Sequence, residues 1–370
     1  MGTTAQAHRS CDRALHRVRH DHTAADRHAI RHGWQRKTWA MRQFTRRNLV
    51  ISTLVSPLAT SLGIDLNPAT ARQSNPLAIA AFTAARPPLE EIVPLFQQTA
   101  EGQSVQIELS FGSASELARA IQTGVPTDVV ILSAGPDIDP LVQAGLVAPT
   151  WNQGAYGGFA VKTVVVMAVR PTNPKAIRGW TDLATPGLQL ILTNPASSHE
   201  GRWHLLAPYA NLVDENATES AITDYFRGLL ANAVQITDTT DIAWEAFLSG
   251  AGDVMLAFES DIIAAQRGGA AVEYVIAKRT MLIEIPAAAT VNSGAPEQAA
   301  AFVAFLHSPE AQRVFAAHGY RPVLPEALKE AALPRLVSVS QIADVGGWAA
   351  VTAKLFDPAT GLIPTILATG

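Results

Sequence analysis

Cysteine is almost absent from this chain: its one thiol, Cys11, lies in the first 40 residues. Disulfides, cysteine metal sites and a lipidated cysteine are therefore excluded for everything downstream. Basic residues are scarce past the same region. Eleven of the 28 Lys and Arg lie in residues 1–71 with only four Asp, so the remainder carries 17 basic against 28 acidic residues, a net charge of −11. That balance argues against a nucleic acid or polyphosphate held by bulk charge, and any anion has to be bound locally. Long apolar runs are missing as well. The best candidate, 49–62, is broken by Ser52, Thr53, Ser56, Pro57, Thr60 and Ser61 and falls short of the roughly 20 residues that span a bilayer. The chain is expected not to be embedded in a membrane.

The first seventy residues differ in composition from the rest. Residues 1–40 hold six of the ten His, eight Arg or Lys and no apolar periodicity, and are read as a disordered extension or a mis-assigned start. Residues 41–71 read as an export signal. Arg42, Arg46 and Arg47 precede the apolar stretch, Ala69-Thr70-Ala71 offers small residues for cleavage, and Thr45-Arg46-Arg47-Asn48-Leu49-Val50 fits a twin-arginine pattern. A periplasmic, untethered protein of about 300 residues follows, enough for two lobes with their own cores.

From residue 77 short apolar runs alternate with helical stretches, the pattern of α/β layers around mainly parallel sheets. Strands are expected at 77–81, 105–110, 128–132, 188–192 and 254–258. Helices are expected at 88–99, 115–123, 137–144, 203–212, 219–230, 243–249, 296–307 and 309–318. The run 161–169 is β-branched without alternation, so it is expected to pass through the protein centre as a first crossover between lobes, with 281–291 returning as the second. This places 72–162 and 288–370 in lobe I and 163–287 in lobe II.

Three loops share one chemistry. Thr193 to Trp203 ends a buried strand and opens a helix with paired hydroxyls; Ser110 to Glu116 and Thr237 to Asp241 do the same elsewhere. A helix start leaves about four amide donors free and carries the positive end of the peptide dipole, so it favours an anion without a Lys or Arg. Each loop is commonplace alone: Ser113 with Glu116, and Ser197 with Glu200, have capping-box spacing, and Thr239 or Thr240 has the chemistry of an N-cap. Together they describe an oxyanion cage.

The chain resembles the periplasmic sulfate-binding proteins that feed ABC importers. The resemblance is carried by Asn194-Pro195 through Arg202-Trp203, Gly252 to Glu259, Ser308-Pro309-Glu310-Ala311-Gln312 leading to Gly319-Tyr320-Arg321-Pro322-Val323, and Gly346-Gly347-Trp348. It implies an α/β, two-lobed type II periplasmic binding fold with two crossover connections, and no catalysis. It also implies no cofactor or metal, a monomer, an ABC permease as partner and a small oxyanion as ligand, sulfate or thiosulfate first, with molybdate, phosphate, an organic anion or a sensor role as alternatives. Carried over residue by residue, the ligand positions are Thr83 in a loose counterpart of one loop, Ser113, Ala114 and Ser115 in a second, and Ser198, His199 and Glu200 in a third. Thr239 and Thr240 follow in a fourth, and Phe258 stands where the family has a tryptophan. Two family glycines become His199 and Glu200, and the indole donor is lost at Phe258. A zinc-enzyme reading has only His199, Glu200 and His204 to start from, and two His five apart do not share a helical face. Tyr156, Tyr209, Tyr225, Tyr274 and Tyr320 show no pairing suited to iron, and the tryptophans are those of a core as readily as of a sugar cleft.

Overall fold

The computed structural model describes residues 76–369; the expected extension at 1–40 and export signal at 41–71 lie outside the described residues. The strands are β1 (Leu77–Phe82), β2 (Ile107–Gly112), β3 (Val129–Ile131), β4 (Phe159–Val169), β5 (Leu190–Thr193), β6 (Ala233–Thr237), β7 (Val254–Phe258), β8 (Glu273–Val275), β9 (Arg279–Ala289), β10 (Arg321–Pro322) and β11 (Ser338–Ser340). Helices α1 (Arg86–Phe96), α2 (Ala114–Gln122), α3 (Asp139–Gln143), α4 (His199–Asp214), α5 (Glu219–Ala231) and α6 (Thr240–Leu248) are joined by α7 (Glu259–Arg267), α8 (Pro296–Phe305), α9 (Pro309–Ala317), α10 (Pro325–Glu330), α11 (Gly347–Val351) and α12 (Leu362–Thr369).

The strands run in the order β2-β1-β3-β9-β4-β7-β5-β6. β1, β2 and β3 are parallel, as are β5, β6 and β7. Between the two sets lie the eleven-residue strands β4 and β9, antiparallel to each other. They pair through Phe159 to Val164 and Leu282 to Pro286, after which β9 continues to β3 and β4 to β7. Each crossover strand thus serves both sets. The missing alternation in the β4 sequence has a direct cause: Val165, Met167 and Val169 fill one core while Val164, Val166 and Ala168 fill another, so both faces are dry.

Register fixes which way the parallel sets point. The carboxyl end of β3, Ile131, lies opposite Ala287 of β9, and that of β7, Phe258, lies opposite Val165 of β4. Both ends face the segment where β4 and β9 pair, separated along it by about six residues, on the order of 20 Å. The loops at the carboxyl ends of the two sets therefore converge.

Three expectations need correction. The stretch 233–237 is an edge strand that the sequence reading passed over, because Val234 and Ile236 face solvent and only its inner positions are covered. The single helix expected at 137–144 is a 3-10 turn, Gly135–Ile138, followed by the short α3. The tail does not return as a whole to the first lobe. α8 and α9 do join the core under β1 and β9 through Ala299, Phe302, Ala311 and Phe315. Val351, Leu355, Phe356, Ile363 and Ile366 instead pack into the core of α4 and α5 with Trp203, Leu206 and Phe226. β11 directs this reversal by adding to the start of β9, at Arg279 to Met281, beyond the stretch shared with β4.

Candidate functional site

Every residue expected at the ligand site lies at the carboxyl end of a parallel strand. Thr83 follows β1 and Ser113, Ala114 and Ser115 follow β2, where Phe82 pairs with Gly112. Ser198, His199 and Glu200 follow β5, Thr239 and Thr240 follow β6, and Phe258 ends β7. The second set is joined directly: Asn194 N donates to Thr237 O at 2.7 Å, Ser197 Oγ to Asp238 O at 2.9 Å, and the hydroxyls of Thr193 and Thr240 lie 3.4 Å apart. One side-chain contact reaches across from the first set, His199 Nδ1 to Asp137 Oδ1 at 3.1 Å. Thr83 and Ser113 are exposed, and the side-chain bonds of Ser113 stay within its own loop.

The local chemistry of each loop follows from its cap. Ser113 makes a full capping box: its hydroxyl accepts from Glu116 N at 3.3 Å, while its own N–H and O–H both go to Glu116 Oε2, at 3.1 and 2.7 Å. These hydrogen bonds hold the Glu116 carboxyl below its ordinary range. Ser198 caps α4 by accepting from Gly201 N at 3.3 Å, and Thr239 caps α6 by accepting from Ile242 N at 3.4 Å. Each of these hydroxyls keeps a proton to donate.

The capping-box reading of Ser197 with Glu200 is overturned. The cap is Ser198, one residue later, and Ser197 is drawn off to Asp238 O instead. Glu200 consequently does not turn back on its own helix. Its carboxyl stands beside the Thr240 hydroxyl, and burial, aided by Asp241 and Asp137, pushes its pKa up. Asp261, in the first turn of α7, belongs to the same cluster. Burial first, then Glu200 and Asp241, push it up to about 8, against the opposing influence of the nearby Phe258 N–H. Both residues are partly exposed.

Below them lies an unusual core. His204 is 1% exposed, neither ring nitrogen has a hydrogen-bond partner, and its ring stands edge-on to Phe258 at 5.1 Å. Burial drops its pKa to about 3, so the imidazole is neutral. His199 is exposed and paired with Asp137, so the two histidines have separate environments. Among the described residues no group of three or more His, Cys, Asp or Glu is placed to hold a metal ion. Trp203 and Trp348 stack at 5.1 Å behind His199.

Gly201 lets α4 start so close to β5. A Cβ there meets Thr193 O at 2.5 Å and the Thr193 and Asn194 carbonyl carbons at 2.9 and 3.0 Å, all backbone. Gly201→Ala therefore lifts the helix start from the strand end. The expected cost is about 1–3 kcal/mol, read as a lower urea midpoint; an unchanged midpoint contradicts the close approach.

Sequence reasoning missed four participants: Asp137, His204, Asp261 and Tyr320. Asp137 Oδ2 accepts from Ser133 Oγ at 2.6 Å and Ala134 N at 2.9 Å, and Tyr320 O–H donates to Ala84 O at 3.1 Å. The signal for both aspartates was present. Ala134 with Asp137 and Phe258 with Asp261 have the spacing of Ser113 with Glu116, hidden because their first residues carry no hydroxyl.

Comparison with known proteins identifies the family. Residues 77–321 match the model of the bacterial extracellular solute-binding protein family. The chain is 30% identical to the sulfate-binding protein of Synechococcus elongatus, over 86% of this chain and 94% of that one. It is also 30% identical to the thiosulfate-binding protein of Pseudomonas aeruginosa, over 77% and 90%. The solved structure of the sulfate-binding protein SubI from Mycobacterium tuberculosis superposes with a TM-score of 0.70 at 34% identity, covering 76% of this chain and 99% of that one. The two-lobed α/β fold implied by the sequence resemblance is thus the fold observed, and the chain belongs to the bacterial extracellular solute-binding proteins, alongside sulfate- and thiosulfate-binding relatives.

Proposed function

We propose that this chain captures a small inorganic oxyanion, sulfate or thiosulfate first, between its lobes and delivers it to an ABC permease. The observation that carries this reading is the convergence of helix starts. α2, α4 and α6 each begin at the carboxyl end of a strand with a hydroxyl cap, and the two strand sets point at one another. Free amides and the positive ends of three helix dipoles then surround a space that no Lys or Arg needs to enter.

In this reading the α2 start supplies the amides of Ala114 and Ser115 from lobe I, since Glu116 already occupies the Ser113 N–H and O–H. The Ser198 and Thr239 hydroxyls and the amides of His199, Glu200 and Thr240 donate from lobe II, Phe258 walls the cleft, and Thr83 stands at its rim. Closure is driven by contacts made only in the closed form, among them His199 with Asp137. Lobe I then comprises 72–162 with the chain from 288 to about 337, and lobe II comprises 163–287 with the chain from about 338 onward. Binding without chemical change, as a periplasmic monomer exported by the signal at 41–71, completes the proposal.

Titration calorimetry of residues 72–370 against sulfate, thiosulfate, molybdate and phosphate tests it. Saturable one-to-one heat with at least one anion is the expected result. Flat traces with all four overturn the reading.

A further inference from the structure

The turn after β3 presents one carboxylate to the start of α4 in a fixed orientation. Asp137 lies in the 3-10 turn Gly135–Ile138, and its Oδ2 accepts from Ser133 Oγ at 2.6 Å and from Ala134 N at 2.9 Å. Those two bonds set the plane of the carboxyl group and leave Oδ1 to meet His199 Nδ1 at 3.1 Å. The Asp137 side chain is 6% exposed and that of His199 48%. The acceptor is therefore rigid and dry, while the imidazole exchanges protons with water.

A second contact supports the same junction. Ala134, in the turn that carries Asp137, is buried in the core that also contains Trp203, Phe258 and Met281, so the turn is seated on the second strand set by an apolar anchor as well as by a hydrogen bond. Trp348 stands edge-on to the imidazole at 6.4 Å and stacks on Trp203 at 5.1 Å. Among the described residues Asp137 is the one side-chain hydrogen-bond partner of His199.

The charges around the pair share one sign. Glu200 follows His199 on α4 and is acted on by Asp137, and Asp139 on α3 is raised by burial and then by the charge of Asp137. Asp241 from α6 and Asp261 from α7 act with Glu200, and the tail contributes only the uncharged Trp348. No Lys or Arg among the described residues pairs with Asp137. The positive end of the α4 dipole opposes a cation at its first residue, and a dianion seated on the same amides offsets that opposition.

We propose that His199 and Asp137 form a latch between the lobes that engages fully when the imidazole is protonated, so that closure over the anion is strengthened by acid. The inference rests on the oxyanion-capture reading and names a regulation of that site. On the protonated ring both nitrogens carry hydrogen, and the Nδ1–H donates to a carboxylate in a charge-assisted bond, roughly twice as strong as a neutral one. On the neutral ring the bond survives only in the tautomer with hydrogen on Nδ1. Opening the lobes separates the two residues and removes the carboxylate's pull on the proton. The closed form thus binds the proton more tightly than the open form, and linkage fixes the sign. An anion that selects the closed form takes up protons where histidine changes charge, between about pH 5 and 8, and binds less tightly as pH rises through that range.

Calorimetry with sulfate, thiosulfate and molybdate at pH 5.5, 6.5, 7.5 and 8.5 reads the slope, and repetition in two buffers of different ionisation heat reads the protons taken up. All three anions stay divalent over this range, so a slope belongs to the protein. Expected is a dissociation constant roughly three- to tenfold larger at pH 8.5 than at pH 5.5, with fractional proton uptake in between. His199→Gln keeps an N–H donor at every pH and should remove both the slope and the uptake. Asp137→Asn should do the same by removing the charge, and the half-exposed His199 position carries the test if that change disturbs the turn. Stopped-flow release of the anion, followed through Trp348 and Trp203 fluorescence, should quicken with rising pH in the parent and not in His199→Gln. Equal affinity from pH 5.5 to 8.5 without proton uptake, or a slope that His199→Gln retains, overturns the latch and leaves the capture reading standing. No heat with these three anions at any pH overturns the latch, and with phosphate silent as well it overturns the capture reading too.

Discussion

Arg321→Met destabilises the folded chain by about 3–5 kcal/mol, the range for a buried ion pair that loses one partner. Arg321 and Glu259 form a two-pronged pair, Nε to Oε2 at 2.6 Å and Nη2 to Oε1 at 2.8 Å, with side chains 7% and 0% exposed. The Arg321 Nη2 also donates to Pro334 O at 2.9 Å, and the Tyr274 O–H donates to Glu259 Oε1 at 3.2 Å. Burial raises the Glu259 carboxyl while the Arg321 charge and hydrogen bond, and to a smaller degree the Tyr274 hydrogen bond, lower it, so removing the arginine leaves burial opposed by the tyrosine hydroxyl alone. The position magnifies the loss. Arg321 lies in β10, which adds to β4, and Glu259 opens α7 directly after β7, so the pair ties β10 to the helix that follows β7. A Glu259→Met, Arg321→Met double variant removes both charges and should lie well above the single variant in stability. Guanidinium denaturation of the three proteins gives the comparison. A single variant within 1 kcal/mol of the parent contradicts a dry, strictly paired interaction.

The parts of this fold that were legible from residues alone are those governed by local or two-sided patterns. The β4 run reads as central because its residues are apolar on both faces, and the structure buries both. The Ser113 box reads correctly because both partners lie within one helical turn. The α4 start was misplaced by one residue for a nonlocal reason. Ser197 and Ser198 are equivalent as caps in sequence, and the choice is made by Asp238 O, 41 positions away, which takes the Ser197 hydroxyl. That single step releases Glu200 from a capping role and leaves its carboxyl beside the Thr240 hydroxyl with its pKa raised by burial. Asp261 was invisible for a related reason: Glu200 and Asp241, whose charges act on it, are distant in sequence. His204 was read through its spacing to His199, whereas what distinguishes it is a lack of partners, a property of packing that no spacing encodes.

Deleting the chain after residue 341 is expected to abolish cooperative folding. Val351, Leu355, Phe356, Ile363 and Ile366 are buried in the core of α4 and α5. At about 1.5–3 kcal/mol for each buried apolar side chain, their loss amounts to roughly 8–15 kcal/mol, comparable with the whole stability of a typical domain. Their partners are uncovered as well. Trp203 loses its stack on Trp348, and Lys354 Nζ no longer reaches Glu219 Oε1 at 2.6 Å on the first turn of α5. The sequence gives no local hint of this dependence, since the tail follows helices that pack on the other core. β11 carries the chain across by pairing with the start of β9. A graded test avoids resting on a protein that does not fold. Leu355→Ala, at a fully buried position, should cost about 2–5 kcal/mol, whereas Ala349→Ser, at an exposed position of α11, should fall within about 0.5 kcal/mol. Thermal melts and near-ultraviolet circular dichroism read both effects, the second through Trp203 and Trp348. Because these rings stand behind His199 at the start of α4, a loosened tail should also weaken anion binding without touching any residue that faces the cleft. If the truncated chain melts at the parent temperature, the tail is an appendage and the second core closes without it.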